Sequence, residues 1–233
     1  MSHDPFAKLD NPAWWALTGV QQPFATGASH VKRYQRGILP FGAYDHTTPE
    51  SIAELDHWLQ PGEVFFLIGA LPALPAHWTL LKELRCAQMI LQSAITPLED
   101  SVSVAALTAA HSVELFDLIQ LVQPGYYELG THQLGHYYGI FQENKLVAVA
   151  GERMRMEELT EISAICTHPD HTGRKYAQHL ITHLCNANLS AGNIPFLHVL
   201  QTNQRAIGLY EYLGFTTRRT ISFWKLQNTK HEI

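Results

Sequence analysis

The chain has 233 residues, of which 46% are hydrophobic and 16% are charged, and its formal net charge is −5. This composition is typical of a globular protein with an ample core, and the negative charge argues against a nucleic-acid-binding protein. No apolar run approaches the roughly 20 residues that span a bilayer, and the N-terminus lacks a signal-peptide pattern, so we expect no membrane association.

The first half, residues 1–100, predicts an α/β unit with turn-rich connections. Residues 11–17 and 48–59 are typical of short helices, because each has a proline in its first turn. Residues 24–29 and 34–44, which contain glycine and proline, predict loops and irregular structure. The strands expected in this half are residues 63–68 and 86–92.

Residues 96–100 predict the join between two domains, 1–100 and 101–233. In the second domain, alternating or apolar patterns predict strands, and spacing of three and four residues predicts helices. Glu143-Asn144 is expected in a hairpin turn. The expected order is strand 102–107, helix 113–122, an aromatic-rich loop 125–135, strands 136–141, 145–154 and 159–167, a helix from Ala177, strand 195–200, helix 203–214 and strand 217–226.

Residues 167–177 link a predicted strand to a predicted helix through a turn that contains Gly173. Such a connection directs unpaired backbone N–H groups toward one point at the positive end of the helix dipole. Arg174 and Lys175 add positive charge there, so the segment predicts a phosphate-binding site. A tight turn with two solvated basic residues stays open as the alternative.

A second segment, residues 203–215, makes a resemblance specific. Together with residues 172–177 it resembles the Gcn5-related N-acetyltransferase (GNAT) superfamily, and within it the FR47-like branch. The superfamily loop Arg/Gln-x-x-Gly-x-Gly/Ala falls on residues 172–177, with Thr172 and Lys175 as departures. The motif Asn-x-x-Ala-x-x-Leu-Tyr-x-x-x-Gly-Phe is matched by Asn203, Ala206, Leu209, Tyr210, Gly214 and Phe215.

The resemblance implies a GNAT fold, in which helices flank a mixed, mostly antiparallel central sheet. Residues 11–19 resemble the start of FR47-like chains, so residues 1–100 are expected to be a degenerate, GNAT-like α/β half beside the catalytic domain. The implied cofactor is acetyl-CoA, with CoA as a product. Its expected contacts are Ala164, Ile165, Cys166, Thr167, Thr172, Gly173, Arg174, Lys175, Tyr176, Ala177 and Asn203.

The resemblance also implies catalytic roles. Tyr210 is expected to be the general acid that protonates the departing thiolate. Glu161, eleven residues before Thr172, is the candidate general base, with a salt-bridged strand residue as the alternative. His168 and His171 are expected to be structural or to face phosphate, and an acyl intermediate on Cys166 is a further alternative to direct transfer.

The resemblance also implies that the aromatic-rich loop lies on the acceptor side of the cleft, where the candidate substrate contacts are Tyr126, Tyr127, Glu128, Thr131 and His132. The 14 histidines are scattered, so we expect no metal site. The three cysteines are widely spaced and odd in number, which predicts no disulfide framework and indicates a reducing, cytoplasmic location.

The sequence therefore predicts an N-acetyltransferase that moves an acetyl group from acetyl-CoA to a small primary amine, such as an amino acid, in a ternary complex. A protein or peptide amine is the alternative acceptor, and a longer acyl-CoA is an alternative donor. A CoA-binding protein without turnover is the alternative from another class, favoured by Thr172 and Lys175. The sequence leaves homodimer formation open.

Overall fold

A computed structural model describes residues 4–99 and 102–230. Asp100, in the predicted join between domains, therefore lies outside the described residues. The helices are α1 Pro12–Thr18, α2 Ser112–Val122, α3 Tyr176–Ser190 and α4 Gln204–Tyr212. The strands are β1 Ala25–Gly27, β2 Val31–Tyr34, β3 Gly42–Tyr44, β4 Val64–Ile68, β5 Trp78–Ile90, β6 Ala105–Leu107, β7 Tyr137–Gln142, β8 Lys145–Met156, β9 Leu159–Thr167, β10 Ile194–Leu200 and β11 Thr216–Asn228.

The chain divides into two units. The first consists of Met1–Arg36, Pro40–Cys86 and Thr220–Ile233, and the second of Gly37–Leu39 and Ala87–Arg219. The division after Cys86 comes earlier than the predicted boundary at residue 100, and the end of the last strand belongs to the first unit. That the first unit is a degenerate copy of the acetyltransferase fold stays a prediction.

The first unit contains a three-stranded sheet, in which β2 pairs antiparallel with both β1 and β3. In the same unit, residues of β11 pair antiparallel with β4. Its apolar core includes Phe65, Leu67 and Leu226, which are almost completely buried. Each such side chain stabilises the folded state by roughly 1.5–3 kcal/mol relative to exposure.

Two expectations for this unit are wrong. The predicted loop 24–29 contains β1, and the predicted irregular segment 34–44 contains β3. These strands have only three residues each, too few to show a period of two in the sequence. The helix predicted over residues 48–59 is confirmed, as a 3-10 helix over Pro49–Trp58 with Thr48 at its N-cap. The fully formed α-helix expected near the N-terminus is confirmed as α1.

In the second unit the strands follow the order β5-β10-β9-β8-β7-β6. Strands β6 to β9 pair antiparallel with their neighbours, and β9 pairs parallel with β10. This is the mixed, mostly antiparallel sheet that the sequence predicts. The hairpin between β7 and β8 is also confirmed, because Glu143 and Asn144 have φ angles of 49° and 61°. Two consecutive positive φ angles are typical of a type I′ turn, whose twist matches that of the strands.

Helices cover both faces of this sheet. On one face, Leu180, Ile181 and Leu184 of α3 pack in a cluster with Ala148 and Ala150 of β8. On the other face, apolar residues of α2 join a second cluster that contains Leu146 and Val149 of β8, and Val149 is one position away from both alanines. Alternate residues of a strand point to opposite faces, so the two clusters form on opposite sides. Within the described residues, no helix is long and apolar enough to cross a membrane.

Candidate active site

The parallel strands β9 and β10 separate in the middle of the second unit's sheet. Their pairing runs from Leu159↔Ile194 to Glu161↔Phe196. Beyond these pairs β9 continues to Thr167 and β10 continues to Leu200. Backbone groups on the facing edges of the two strand ends are therefore available to a ligand, because they leave the ladder that would satisfy them.

A bulge lies on β9 next to this opening. The register between β8 and β9 shifts between the pairs Val149↔Cys166 and Gly151↔Ser163, and Ala164 has a φ of 52°. A β-bulge redirects the backbone and increases the local twist of a strand. The expected cofactor residues Ala164, Ile165, Cys166 and Thr167 all lie on this bulged strand end.

The predicted phosphate-binding segment follows β9 directly. Pro169–His171 form a 3-10 turn, and Gly173 has a φ of 78°. A Cβ atom at Gly173 would meet no described atom within 4 Å, so the space above this residue is open. The turn leads into α3 at Tyr176, one residue before the predicted start at Ala177, and among the described side chains none caps the first turn of α3. Its N–H groups are thus placed to bind an anion at the positive end of the helix dipole.

Lys175 keeps the backbone conformation that glycine favours at this position. Its φ of 58° and ψ of 14° lie in the left-handed helical region. A non-glycine residue there costs about 1–2 kcal/mol. The departure from the superfamily pattern therefore leaves the course of the loop unchanged and adds a positive charge next to it. The other departure, Thr172, is exposed, and its hydroxyl donates to the Pro169 carbonyl at 3.2 Å.

Two further polar atoms beside the loop fit a polar ligand. His171 Nδ1 and Gln178 Oε1 are buried and have no hydrogen-bond partner among residues 4–99 and 102–230. Burying such atoms without a partner costs about 1–3 kcal/mol each. Arg174 is exposed, Tyr176 is buried and Ala177 is half-buried. Asn203 accepts a hydrogen bond from the Ala206 N–H at 3.1 Å, which confirms that it caps α4.

Tyr210 of α4 lies in the apolar cluster between α3 and the sheet, and 9% of it is exposed. Burial and the neighbouring Cys166 and Cys185 raise the pKa of its phenol well above the usual value. The group therefore keeps its proton at neutral pH, as a proton donor must. The raised pKa also makes it a weaker acid in the free protein.

Cys166 is a poor candidate for a covalent acyl intermediate. Burial raises the pKa of its thiol to about 12. The thiolate is the nucleophilic form of cysteine, so little of it exists at neutral pH. The raised pKa therefore disfavours a covalent route through Cys166.

The prediction that Glu161 is the general base is wrong. The side chain is completely buried, and its carboxylate accepts bonds from Arg153 Nε at 2.8 Å, Arg153 Nη2 at 2.6 Å and His198 Nδ1 at 2.7 Å. Burial raises the pKa of Glu161, but the charge and hydrogen bonds of Arg153 and the bond from His198 outweigh it and lower the pKa to about 2. A carboxylate held in this way is the salt-bridged strand residue of the alternative interpretation.

Sequence reasoning missed Arg153 and His198. A signal for Arg153 exists, because β8 and β9 form a hairpin whose pairs Glu152↔Ile162 and Arg155↔Thr160 bracket Arg153 and Glu161. Register of this kind places opposite charges on one face of adjacent strands. His198 gives no comparable signal. Its strand, β10, follows β9 only after the crossover helix α3, so the sequence pattern does not show which residues of the two strands lie side by side.

The expected acceptor loop divides into anchoring and surface residues. Thr131 is buried, its hydroxyl donates to the Ile38 carbonyl at 2.6 Å and accepts from the Glu128 N–H at 2.9 Å. Its expected substrate contact is therefore corrected to an anchor of the loop. His132 Nδ1 lies 2.9 Å from the Leu129 carbonyl. Glu128 is exposed and Tyr126 is half-buried, and their contact with substrate stays a prediction.

Tyr127, a predicted substrate contact of this loop, is buried and packs against Tyr137, which sequence reasoning did not single out. Their ring centroids are 6.1 Å apart in an edge-to-face arrangement, and both hydroxyls are buried. Burial raises the pKa of both phenols, and Tyr137 also responds to the charges of Arg153 and Glu161. A Cβ atom at Gly151 would lie 2.2 Å from the Tyr137 ring, so the ring lies directly over the Gly151 backbone toward β9. Both phenols thus lie on the Glu161 side of the sheet.

Comparisons with a family model and with solved structures show which known proteins this chain resembles. The family described as FR47-like protein matches residues 137–224. A solved GNAT-family structure from Novosphingobium aromaticivorans DSM 12444 is 31% identical, with a TM-score of 0.88 over 95% of this chain and 99% of that chain. A comparison with curated protein sequences gives no significant match.

A more distant solved structure supports the fold. The GCN5-related N-acetyltransferase from Kribbella flavida has a TM-score of 0.63 at 12% identity, over 99% of this chain and 98% of that chain. The two solved structures match this chain over nearly its whole length, including the first unit. Together with the separated strands, the bulge and the loop before α3, these similarities show that the chain belongs to the GNAT family of acetyltransferases, with an FR47-like domain.

Proposed function

We propose that the protein is an acetyl-CoA-dependent N-acetyltransferase that acts on a small primary amine by direct transfer. The observation that carries the proposal is the separation of β9 and β10 directly after the pair Glu161↔Phe196. A ligand with an extended amide-containing arm fits between two such strand ends, because it can use their backbone donors and acceptors.

Acetyl-CoA would supply an activated acetyl group as a thioester. For this ligand, residues 172–177 and the first turn of α3 would hold the pyrophosphate, with Arg174 and Lys175 adding positive charge. The end of β9 would hold the pantetheine arm through its backbone. A backbone N–H near the bulge at Ala164 is a candidate donor to the thioester carbonyl, where negative charge develops during acyl transfer.

The proton steps are divided between Tyr210 and solvent. Tyr210 keeps its phenolic proton and would donate it to the leaving thiolate. Both carboxylate oxygens of Glu161 already accept hydrogen bonds from Arg153 and His198, so Glu161 would not take the proton of the amine. The amine would instead lose its proton to water or bind already neutral. The buried, apolar character of the phenol side of the site favours a small acceptor with a limited polar surface.

The first test is calorimetric titration of the protein with acetyl-CoA, followed by thiol release with a panel of amino acids, other small amines and peptides. We expect micromolar binding, and thiol release that depends on a small amine. Absence of binding at millimolar acetyl-CoA would contradict the proposal.

A CoA-binding protein without turnover is the second candidate, and the locked carboxylate of Glu161 favours it. Binding of acetyl-CoA without thiol release for any amine in the panel would support this candidate over the enzyme. Preference for peptides would instead identify a protein acceptor, and stronger thiol release from a longer acyl-CoA would identify another donor.

A further inference from the structure

A chain of hydrogen bonds crosses the second unit's sheet on the Glu161 side. Arg218 Nη1 donates to Gln88 Oε1 at 2.9 Å, and Gln88 Nε2 lies 3.0 Å from His198 Nε2. His198 Nδ1 then lies 2.7 Å from Glu161 Oε1, and Arg153 binds the same carboxylate. Gln88 and Glu161 are completely buried, and 2% of the His198 side chain is exposed.

The chemistry of the two ends fixes the direction of every bond. Arg218 can only donate, so the oxygen of the Gln88 amide must face it. The NH₂ group of Gln88 consequently faces His198 Nε2 and can only donate to it. His198 Nε2 must therefore be unprotonated, and the proton of the neutral ring is on Nδ1, from which it is donated to the Glu161 carboxylate. A single donor-only residue thus sets the tautomer of a histidine on another strand.

This chain of bonds also spans the place where the sheet opens. The last paired positions are Glu161 and Phe196, and His198 stands two residues farther along β10. Its ring reaches back to the Glu161 side chain, so side chains join the two strands just where their backbones separate. On its other side the ring is held by Gln88 of the neighbouring β5.

We propose that Arg218 and Gln88 are positioning residues, which hold His198 in its Nδ1-protonated form and thereby fix the spacing of the open ends of β9 and β10. The expected effect on acetyl-CoA binding rests on the proposed function, since these open ends flank the expected acetyl-CoA cleft. The His198 tautomer and the order of the strand ends follow from the protein alone. They are therefore measurable whether or not acetyl-CoA binds.

The first experiment measures the ¹⁵N chemical shifts of the His198 ring by NMR. We expect a protonated Nδ1 and an unprotonated Nε2 in the wild-type protein. In Gln88→Glu, a carboxylate between Arg218 and His198 can only accept, so Nε2 should become protonated as well. A protonated Nε2 in the wild-type protein, or an unchanged ring in Gln88→Glu, would overturn the assigned direction.

The second experiment compares Gln88→Leu with Gln92→Leu, an exposed position just beyond β5. Loss of the Gln88 bonds should speed amide hydrogen exchange at residues 162–167 of β9 and 198–200 of β10 by about tenfold, whereas exchange in α3 and β7 should change much less. Gln92→Leu should leave the exchange at these residues unchanged. Equal exchange in wild type and Gln88→Leu would overturn the positioning role.

The third experiment measures how Gln88→Leu changes the affinity for acetyl-CoA. We expect the Kd for acetyl-CoA to rise about tenfold in Gln88→Leu, while kcat at saturating acetyl-CoA changes much less, because the altered strands hold the cofactor and not the phenol of Tyr210. A fall in kcat at unchanged Kd would contradict positioning of the cleft. If wild-type protein does not bind acetyl-CoA, the proposed function fails, and the exchange measurement alone decides the positioning role.

Discussion

Arg153 and Glu161 face each other across the β8–β9 hairpin, and two parallel hydrogen bonds of 2.8 and 2.6 Å join the guanidinium to the carboxylate. The carboxylate is inaccessible to solvent, and 13% of the arginine side chain is exposed. A buried pair of this geometry is strongly disrupted when one partner alone loses its charge. It therefore serves as a fixed structural contact at the base of the cleft, and it cannot also exchange protons with a substrate.

We expect Glu161→Gln to destabilise the protein by about 3–5 kcal/mol, because the Arg153 charge would lose its buried counter-charge. The free energy of unfolding from urea titration measures this effect. Glu211→Gln, which removes an exposed carboxylate from α4, is the matched control and should change stability by no more than about 0.5 kcal/mol. Equal effects of the two substitutions would show that the Arg153–Glu161 pair contributes nothing specific.

Stability should depend on pH through the same carboxylate. Its folded-state pKa of about 2 is lower than its ordinary value of 4.5, so its stabilising contribution is complete above pH 4.5 and is lost as pH falls toward 2. A shift of this size corresponds to about 3 kcal/mol. The difference in unfolding free energy between wild type and Glu161→Gln should therefore shrink over this interval. A constant difference from pH 6 to pH 2 would contradict the lowered pKa.

Tyr210→Phe should lower turnover by about tenfold or more while acetyl-CoA still binds, because in the proposed mechanism the phenol supplies a proton, whereas the ring provides the packing. Steady-state thiol release and calorimetric titration separate the two effects. Tyr212→Phe, on the same helix and 80% exposed, is the matched control. Turnover equal to that of the control would remove Tyr210 from the mechanism.

Lys175→Gly should raise the melting temperature, since glycine adopts a φ of 58° without the cost of about 1 kcal/mol that a lysine incurs. Arg174→Gly is the matched control. It removes a positive charge from the adjacent position, whose φ is not positive, and should destabilise by about 0.5–1 kcal/mol. Thermal unfolding of the two variants should thus shift in opposite directions, and a loss of stability in both would contradict strain at Lys175.

Sequence patterns predicted the second unit's sheet and helices well, and particular residues show why. β9 begins and ends at the predicted residues, and Asn203 caps α4 as expected. These features are local, because strand alternation and helix capping depend on residues close together in the chain. The strand β5, by contrast, begins at Trp78 rather than at residue 86. Its first part is mostly exposed and mixes leucines with charged residues, so its sequence lacks the continuous or alternating apolar pattern that signals a strand.

The candidate site shows the same division. The segment before α3 could be predicted because its turn residues, charges and helix start are consecutive. The role of Glu161 could not, because it depends on Arg153 through strand register and on His198 through a crossover connection. Glutamate at this position is compatible with both a base and an ion pair, and the partner's location alone decides between them. Thr131 was misassigned for the same reason, since its partner Ile38 is far away in the chain.

The separation of β9 and β10 also has a cost for the folded protein. Each strand end presents backbone donors and acceptors along an interior edge, which resembles the edge of an open sheet. Edges of this kind can recruit extended segments of other chains and so promote aggregation. A molecule seated between the strands would cover both edges at once. A higher concentration of that molecule should therefore keep the protein monodisperse for longer in storage, independently of any effect on catalysis.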